Sequence, residues 1–284
     1  MTNIRRRVAS IAGAVLLVTV AATAGPGAFA AVPGPPSSPG AALSHGAARF
    51  GAGAPAPVVD CRVVRCVALT LDDGPTEYTA AVLGTLERQH AVATFFLIGP
   101  HALRYRADVR REQRDGDAIG DHTVTHPHLT RLTPARIDYE LGTAAAQIAS
   151  VTGHRPTLFR PPFGAWNAKV RAAAGAEGLS VVMWNVSSQD WKYHDSRLIE
   201  RRVLARVRSG AIVVLHDRYA TTPPAVPHLI QALKARGYVL VTVPEMFAAT
   251  GGLRPGVVYH HGPRPGLRAA AAHSGPAERR PGKA

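Results

Sequence analysis

Between residues 58 and 250, short apolar runs rich in Val, Ile, Leu and Phe alternate with segments of helical pattern, and this alternation constrains the fold more than any other feature of the chain. The runs fall at 66–71, 92–98, about 118–121, 157–160, 180–186, 211–215 and 238–243. Each is short and mostly apolar, as strands covered on both faces are. Between them, 76–90, 134–151, 167–178, 196–209 and 223–236 carry apolar residues at helical spacing, and several close on a glycine, as at Gly153, Gly178, Gly210 and Gly237. Such alternation implies an α/β fold with a parallel sheet and covering helices, either open and doubly wound or closed into a barrel.

The unusual polar residues favour the barrel. Asp72 and Asp73 follow the first apolar run, His122 follows the third, Arg160 closes the fourth, Asp190 comes after the fifth and His216 ends the sixth. In a parallel barrel the carboxyl ends of all strands converge on one face, where active sites are built. The expectation is a distorted (β/α) barrel of about seven parallel strands with these residues sharing one cleft.

The flanks read differently. Residues 1–30 combine Arg5, Arg6 and Arg7 with an apolar run from Ile11 to about Ala22 and the triplet Ala28-Phe29-Ala30, the pattern of a secretory signal peptide cleaved near Ala30. Residues 31–57 are a Pro/Gly/Ala tether, 58–250 are long enough for one domain with a sizeable core, and 251–284 read as a basic, disordered tail. Of the formal charge of +14, the signal peptide carries +3, the tether +1 and the tail +5, leaving +5 on the core. The tail suits electrostatic contact with anionic cell-wall polymers. Nucleic-acid binding is disfavoured, because no basic stripe is interleaved with aromatics. In a secreted or wall-associated protein, Cys61 and Cys66 are expected to form a short-loop disulfide. A monomer is the expected state.

Within the core, His122 and His126 stand four apart, a spacing that puts both imidazoles on one face of a helical turn. The pair alone is a weak signal. Asp73 as third ligand would complete a set of two His and one carboxylate that suits zinc and leaves a position open. Two adjacent carboxylates, Asp72 and Asp73, are costly unless each has a partner. The pair divides naturally, with Asp73 binding the cation and Asp72 taking a proton from a water that the cation activates. Arg160-Pro161-Pro162-Phe163-Gly164 forms a rigid turn able to aim the Phe163 N–H at a developing oxyanion. Asp190, followed by Trp191, can pair with His216 and raise its pKa.

These residues resemble the polysaccharide deacetylases with the NodB-homology domain, carbohydrate esterase family 4, over about residues 61 to 247. Thr70-Leu71-Asp72-Asp73-Gly74-Pro75 resembles the first family motif, His122-Thr123-Val124-Thr125-His126 the second, and Arg160-Pro161-Pro162-Phe163-Gly164 the third. Asp190-Trp191 and Val214-Leu215-His216 resemble the fourth and fifth. The resemblance implies a distorted barrel with Asp72 as base, and one divalent ion, zinc, on Asp73, His122 and His126. It further implies that Arg160 orients the base and the Phe163 N–H serves the oxyanion. Trp191 and Leu215 would line the acetyl pocket, and Asp190 would hold His216 as general acid. Departures are Asn185 and Ser187 where many members carry acids, Leu71 for Phe, Phe163 for Tyr and Val214 for Leu.

The expected activity is hydrolysis of N-acetyl groups on N-acetylglucosamine units of peptidoglycan or a chitin-like polymer. O-deacetylation, as of acetylated xylan, uses the same site. A non-catalytic carbohydrate-binding protein is the reading from another class, and retention of every ligand, base and acid weighs against it.

Overall fold

The structure, a computed structural model, describes residues 59–266. The expected signal peptide, the tether and the chain from 267 onward lie outside the described residues. Nine strands form one sheet: β1 Cys66–Gly74, β2 Thr94–Leu97, β3 Ala118–Asp121, β4 Leu158–Phe159, β5 Ser180–Val182, β6 Val186–Ser187, β7 Ala211–His216, β8 Val239–Leu240 and β9 Val258–Tyr259. Their order is β6-β7-β1-β2-β3-β4-β5-β9, with β8 paired to the start of β1, and every pairing is parallel.

Period-two alternation divides the sheet's faces. Val67, Leu69 and Leu71 of β1, Phe95 and Leu97 of β2, and Val213 and Leu215 of β7 pack outward against Val82, Leu83 and Leu86 of helix Thr79–Arg88 and against helices Ser196–Arg206 and Thr222–Ala235. Ala68, Phe96 and Ile212 face the other way, onto Val243, Met246 and Phe247 of the short helix Val243–Ala248 and onto the Cys61–Cys66 disulfide. These inner residues close the amino end of the barrel. The carboxyl end is left to polar side chains.

Residues 180–186 read as one strand, yet they make two. Met183, Trp184 and Asn185 separate β5 from β6, which lie toward opposite ends of the strand order. Four peptide steps span at most about 14 Å. The sheet must therefore curl until its two sides approach, giving the distorted, half-closed barrel that the polar residues at the strand ends favoured over an open sheet. Asn185 secures the crossing, since its N–H donates to Ile212 O at 3.2 Å and its Oδ1 accepts the Ile212 N–H at 3.0 Å.

Part of the tail expected from residue 251 is built into the fold. Residues 257–259 extend the sheet beyond β5, with Val181 N–H donating to Val257 O and Met183 N–H to Tyr259 O. Tyr259 also packs edge-on against Phe247. Pro and Gly around this segment hid a strand of two residues, whose ladder bonds come from a partner far away in sequence.

Candidate active site

The carboxyl ends of β1, β3, β4 and β7 and the loops after them enclose a cleft of about 660 Å³ lined by Asp72, Asp73, His122, His126, Phe163, Trp184, Ser187, Trp191, Val214, His216, Arg218 and Tyr219. Register explains the placement: Asp72 on β1 pairs with His216 on β7, and Thr70 with Val214. All four point inward. Leu215, expected in the acetyl pocket, is a correction: alternation turns it outward into the core, fully buried among Leu71 and Phe95, and Val214 takes the cleft position.

His122 and His126 are also arranged differently from expectation. No helical turn carries them; residues 122–128 are irregular, with Thr123 at φ 73° and His126 at φ 54°. The loop nevertheless brings the imidazoles within 5.0 Å of each other, centroid to centroid. His122 Nδ1 faces Arg160 O at 2.7 Å. A carbonyl only accepts, so Nδ1 carries the proton and the lone pair of Nε2 is turned to the cleft. His122 Nε2 and His126 Nε2 stand 3.4 and 3.2 Å from Asp73 Oδ1.

Asp73 Oδ1 is buried and without a hydrogen-bond partner. One carboxylate oxygen and two imidazole nitrogens, all within 4.8 Å of one another, converge on one point. Such a cluster of electron pairs is stable around a cation, and its donors suit a divalent ion. Burial pushes the Asp73 carboxyl up, but positive charge on the side of the two facing imidazoles, where a cation would lie, outweighs it and holds the group well below the usual range. Its backbone, at φ 74°, is tied down by His101, whose Nδ1–H donates to Asp73 O at 2.9 Å. Arg218 Nη1 reaches Asp73 Oδ2 at 3.3 Å.

Arg160 is fully buried inside the barrel. Its Nη1 donates to Asp72 Oδ1 at 2.8 Å and Thr70 Oγ1 at 2.6 Å, and Nε and Nη2 donate to Val182 O and Met183 O at 3.0 and 3.1 Å. Its guanidinium also lies 4.2 Å from the Phe96 ring centroid. One side chain thus connects Asp72 to the β5–β6 crossing.

Asp190 is equally enclosed. Its Oδ1 accepts from Ser188 Oγ, the Trp191 N–H and His216 Nδ1, and its Oδ2 from the His216 N–H and Thr222 Oγ1. Burial alone would lower the His216 pKa, but the hydrogen bond and charge of Asp190, with Asp72 and Asp73 nearby, raise it to about 9. The imidazole is therefore cationic at neutral pH. A pKa raised on folding stabilises the fold below its unfolded value of about 6.5, and the effect is lost as pH rises through the folded value. His216→Ala should therefore lower the urea midpoint more at pH 6 than at pH 10. Equal losses at both would show the pair to be uncharged.

Among the cleft aromatics, Trp191 is 52% and Phe163 58% exposed. His128 stacks on Phe163 with centroids 4.0 Å apart. Sequence reasoning passed over His101, His128, Arg218, Tyr219 and Asp217. The Asp217 carboxyl, pushed up to about 7 by burial and by the charges of Asp73 and Asp72, accepts from Thr79 Oγ1. It sits so close behind Gly74 that a Cβ there would collide with it. Of these two neighbours at the strand end the sequence singled out only the inward-facing His216, and a buried acid beside it leaves no periodic trace.

Fold and site together define an α/β protein in which three residues that could hold a metal ion stand beside the Asp72–Arg160 and Asp190–His216 pairs, at the carboxyl edge of a curled parallel sheet. Comparison with known proteins carries this further. The polysaccharide deacetylase family profile matches residues 60–182. The chain is 36% identical to the peptidoglycan-N-acetylglucosamine deacetylase PgdA of Listeria monocytogenes over 182 residues, 64% of this chain and 38% of that protein. It therefore spans well under half the length of that relative. With the chitooligosaccharide deacetylase of a Bradyrhizobium strain it shares 36% identity over 203 residues, covering 66% of this chain and 93% of the relative. A solved structure of T48 deacetylase with substrate superposes with a TM-score of 0.68 at 38% identity, covering 71% of this chain and 99% of the other. The chain belongs to the polysaccharide deacetylase family, carbohydrate esterase family 4.

Proposed function

We propose that this chain is an exported, zinc-dependent polysaccharide deacetylase that hydrolyses N-acetyl groups on N-acetylglucosamine units of peptidoglycan or a chitin-like polymer. The observation that carries the reading is the meeting of Asp73, His122 and His126 with Asp72 and His216 in one cleft. The names of the Listeria and Bradyrhizobium relatives support the substrate class. Export is supported by the first thirty residues and by the Cys61–Cys66 bond, since disulfides persist in oxidising compartments.

Asp73, His122 and His126 would hold a divalent ion, which would supply Lewis acidity toward the acetyl carbonyl and toward water. Asp72, oriented by Arg160, takes the proton of the attacking water as its oxygen bonds to the acetyl carbon. The Phe163 N–H stabilises the charge that develops on the acetyl oxygen. His216, held through Nδ1 by Asp190, gives a proton to the amide nitrogen as the C–N bond breaks, releasing acetate and a free amine. Trp191 and Val214 wall the acetyl pocket. Arg218, half exposed in the same cleft, favours peptidoglycan, whose stem peptides carry carboxylates, over uncharged chitin.

The test is acetate release from peptidoglycan, chitooligosaccharides and acetylxylan, before and after chelation and again with zinc restored. Release from the first two, lost on chelation and recovered with zinc, is the expected result. Activity on acetylxylan alone would move the assignment to ester hydrolysis. Saturable polymer binding with zinc bound and no acetate released would make the protein a binding module.

A further inference from the structure

Helix Pro134–Thr152 buries Ile137, Leu141, Ala144, Ala145, Ile148 and Val151 at helical spacing, and in the middle of that apolar stripe lies Glu140, itself wholly buried. A carboxylate there is costly unless its oxygens are fully engaged. They are: Oε2 accepts the N–H groups of Val124 and Thr125 at 3.0 and 2.9 Å, and Oε1 accepts from Thr125 Oγ1 at 2.8 Å and Arg136 Nη2 at 3.0 Å. Three of these four donors lie between the two histidines of the cation site.

That location matters because no helix fixes the His122–His126 spacing. The loop carries left-handed residues at both Thr123 and His126. Asp121 and Thr123 pin its ends, with Asp121 Oδ1 accepting the Thr123 N–H at 2.6 Å and Thr123 Oγ1 accepting the His126 N–H at 3.0 Å. The middle is held by Glu140. We propose that Glu140 is a positioning residue of the metal site, setting the separation of the two imidazoles through the backbone between them while touching neither. The proposal rests on the metal reading of Asp73, His122 and His126 given above.

Two substitutions separate reach from charge. Glu140→Gln keeps the reach, since its amide oxygen can accept both N–H groups while its nitrogen donates to Thr125 Oγ1. Glu140→Asp keeps the charge but withdraws it by one methylene. Zinc affinity of the full chain, measured by competition with a chromogenic chelator, should fall about 10–100-fold in Glu140→Asp and change less than about threefold in Glu140→Gln. Circular dichroism and melting of the metal-free proteins report that both are folded. Thr125→Val, which removes only the hydroxyl donor, should weaken zinc roughly fivefold and serves if the aspartate variant does not fold. Wild-type zinc affinity in folded Glu140→Asp or Thr125→Val overturns the proposal, even where the metal-free protein melts earlier. Failure of the unaltered chain to bind zinc would instead overturn the metal reading, and this proposal with it.

Discussion

Asp72→Asn is expected to lower acetate release by roughly 10²–10⁴-fold while leaving zinc content unchanged. The two side chains have nearly the same shape, and an amide oxygen at position 72 still accepts the Arg160 hydrogen bond that Asp72 Oδ1 receives at 2.8 Å. What is lost is the ability to take a proton. The cation ligands are untouched, because the adjacent carboxylate of Asp73, not that of Asp72, converges with the two imidazoles. Acetate assays run beside metal analysis of the same preparation check both halves of the expectation. Normal turnover would remove Asp72 from the base role, whereas loss of zinc would make it part of the metal site.

Arg160→Met should cost about 3–5 kcal/mol of stability, because it leaves the buried Asp72 carboxylate without its counter-charge. The loss extends to the Thr70 hydroxyl and to the carbonyls of Val182 and Met183, which the guanidinium now satisfies. An effect of that size is a large share of the 5–15 kcal/mol that keeps a typical domain folded. It would appear as a lower urea midpoint with an unchanged slope. In an Asp72→Asn background the same replacement should cost less, since no carboxylate is then stranded. Equal costs in the two backgrounds would show that Arg160 acts through packing on Phe96 rather than through its ion pair.

Much of this architecture is written in hydrophobic periodicity. The alternation of runs such as 66–71 and 211–215 with helical segments implied a parallel sheet, and the polar residues at strand ends fell into one cleft because parallel strands share a carboxyl edge. Periodicity could not show the break between Val182 and Val186, since seven residues of mostly apolar character read as one strand whichever neighbours they pair with. It could have shown that Leu215 faces outward, had the two-residue alternation from His216 been followed back by one position. The loop from His122 to His126 is a different matter. Its geometry comes from Glu140 and Asp121, contacts that leave no local pattern beyond an acid on an apolar helical stripe. Arg218, on the turn after β7, and His101, inside the short helix Gly99–Arg104, stayed hidden because a lone polar side chain breaks no periodic pattern.

Asp73, Thr123, His126, Phe163 and Gln189 all hold positive φ without being glycine, and the first four lie at the end of β1, in the His122–His126 loop and in the turn after Arg160, around the cleft. Each such residue costs on the order of 1–3 kcal/mol, so together they approach the net stability of a whole domain. Glycine or asparagine at these positions would relax the backbone and raise the melting temperature. A selection that rewarded only heat resistance would therefore drift toward a sturdier scaffold whose cleft no longer catalyses, and directed evolution of this fold should screen for turnover at every round.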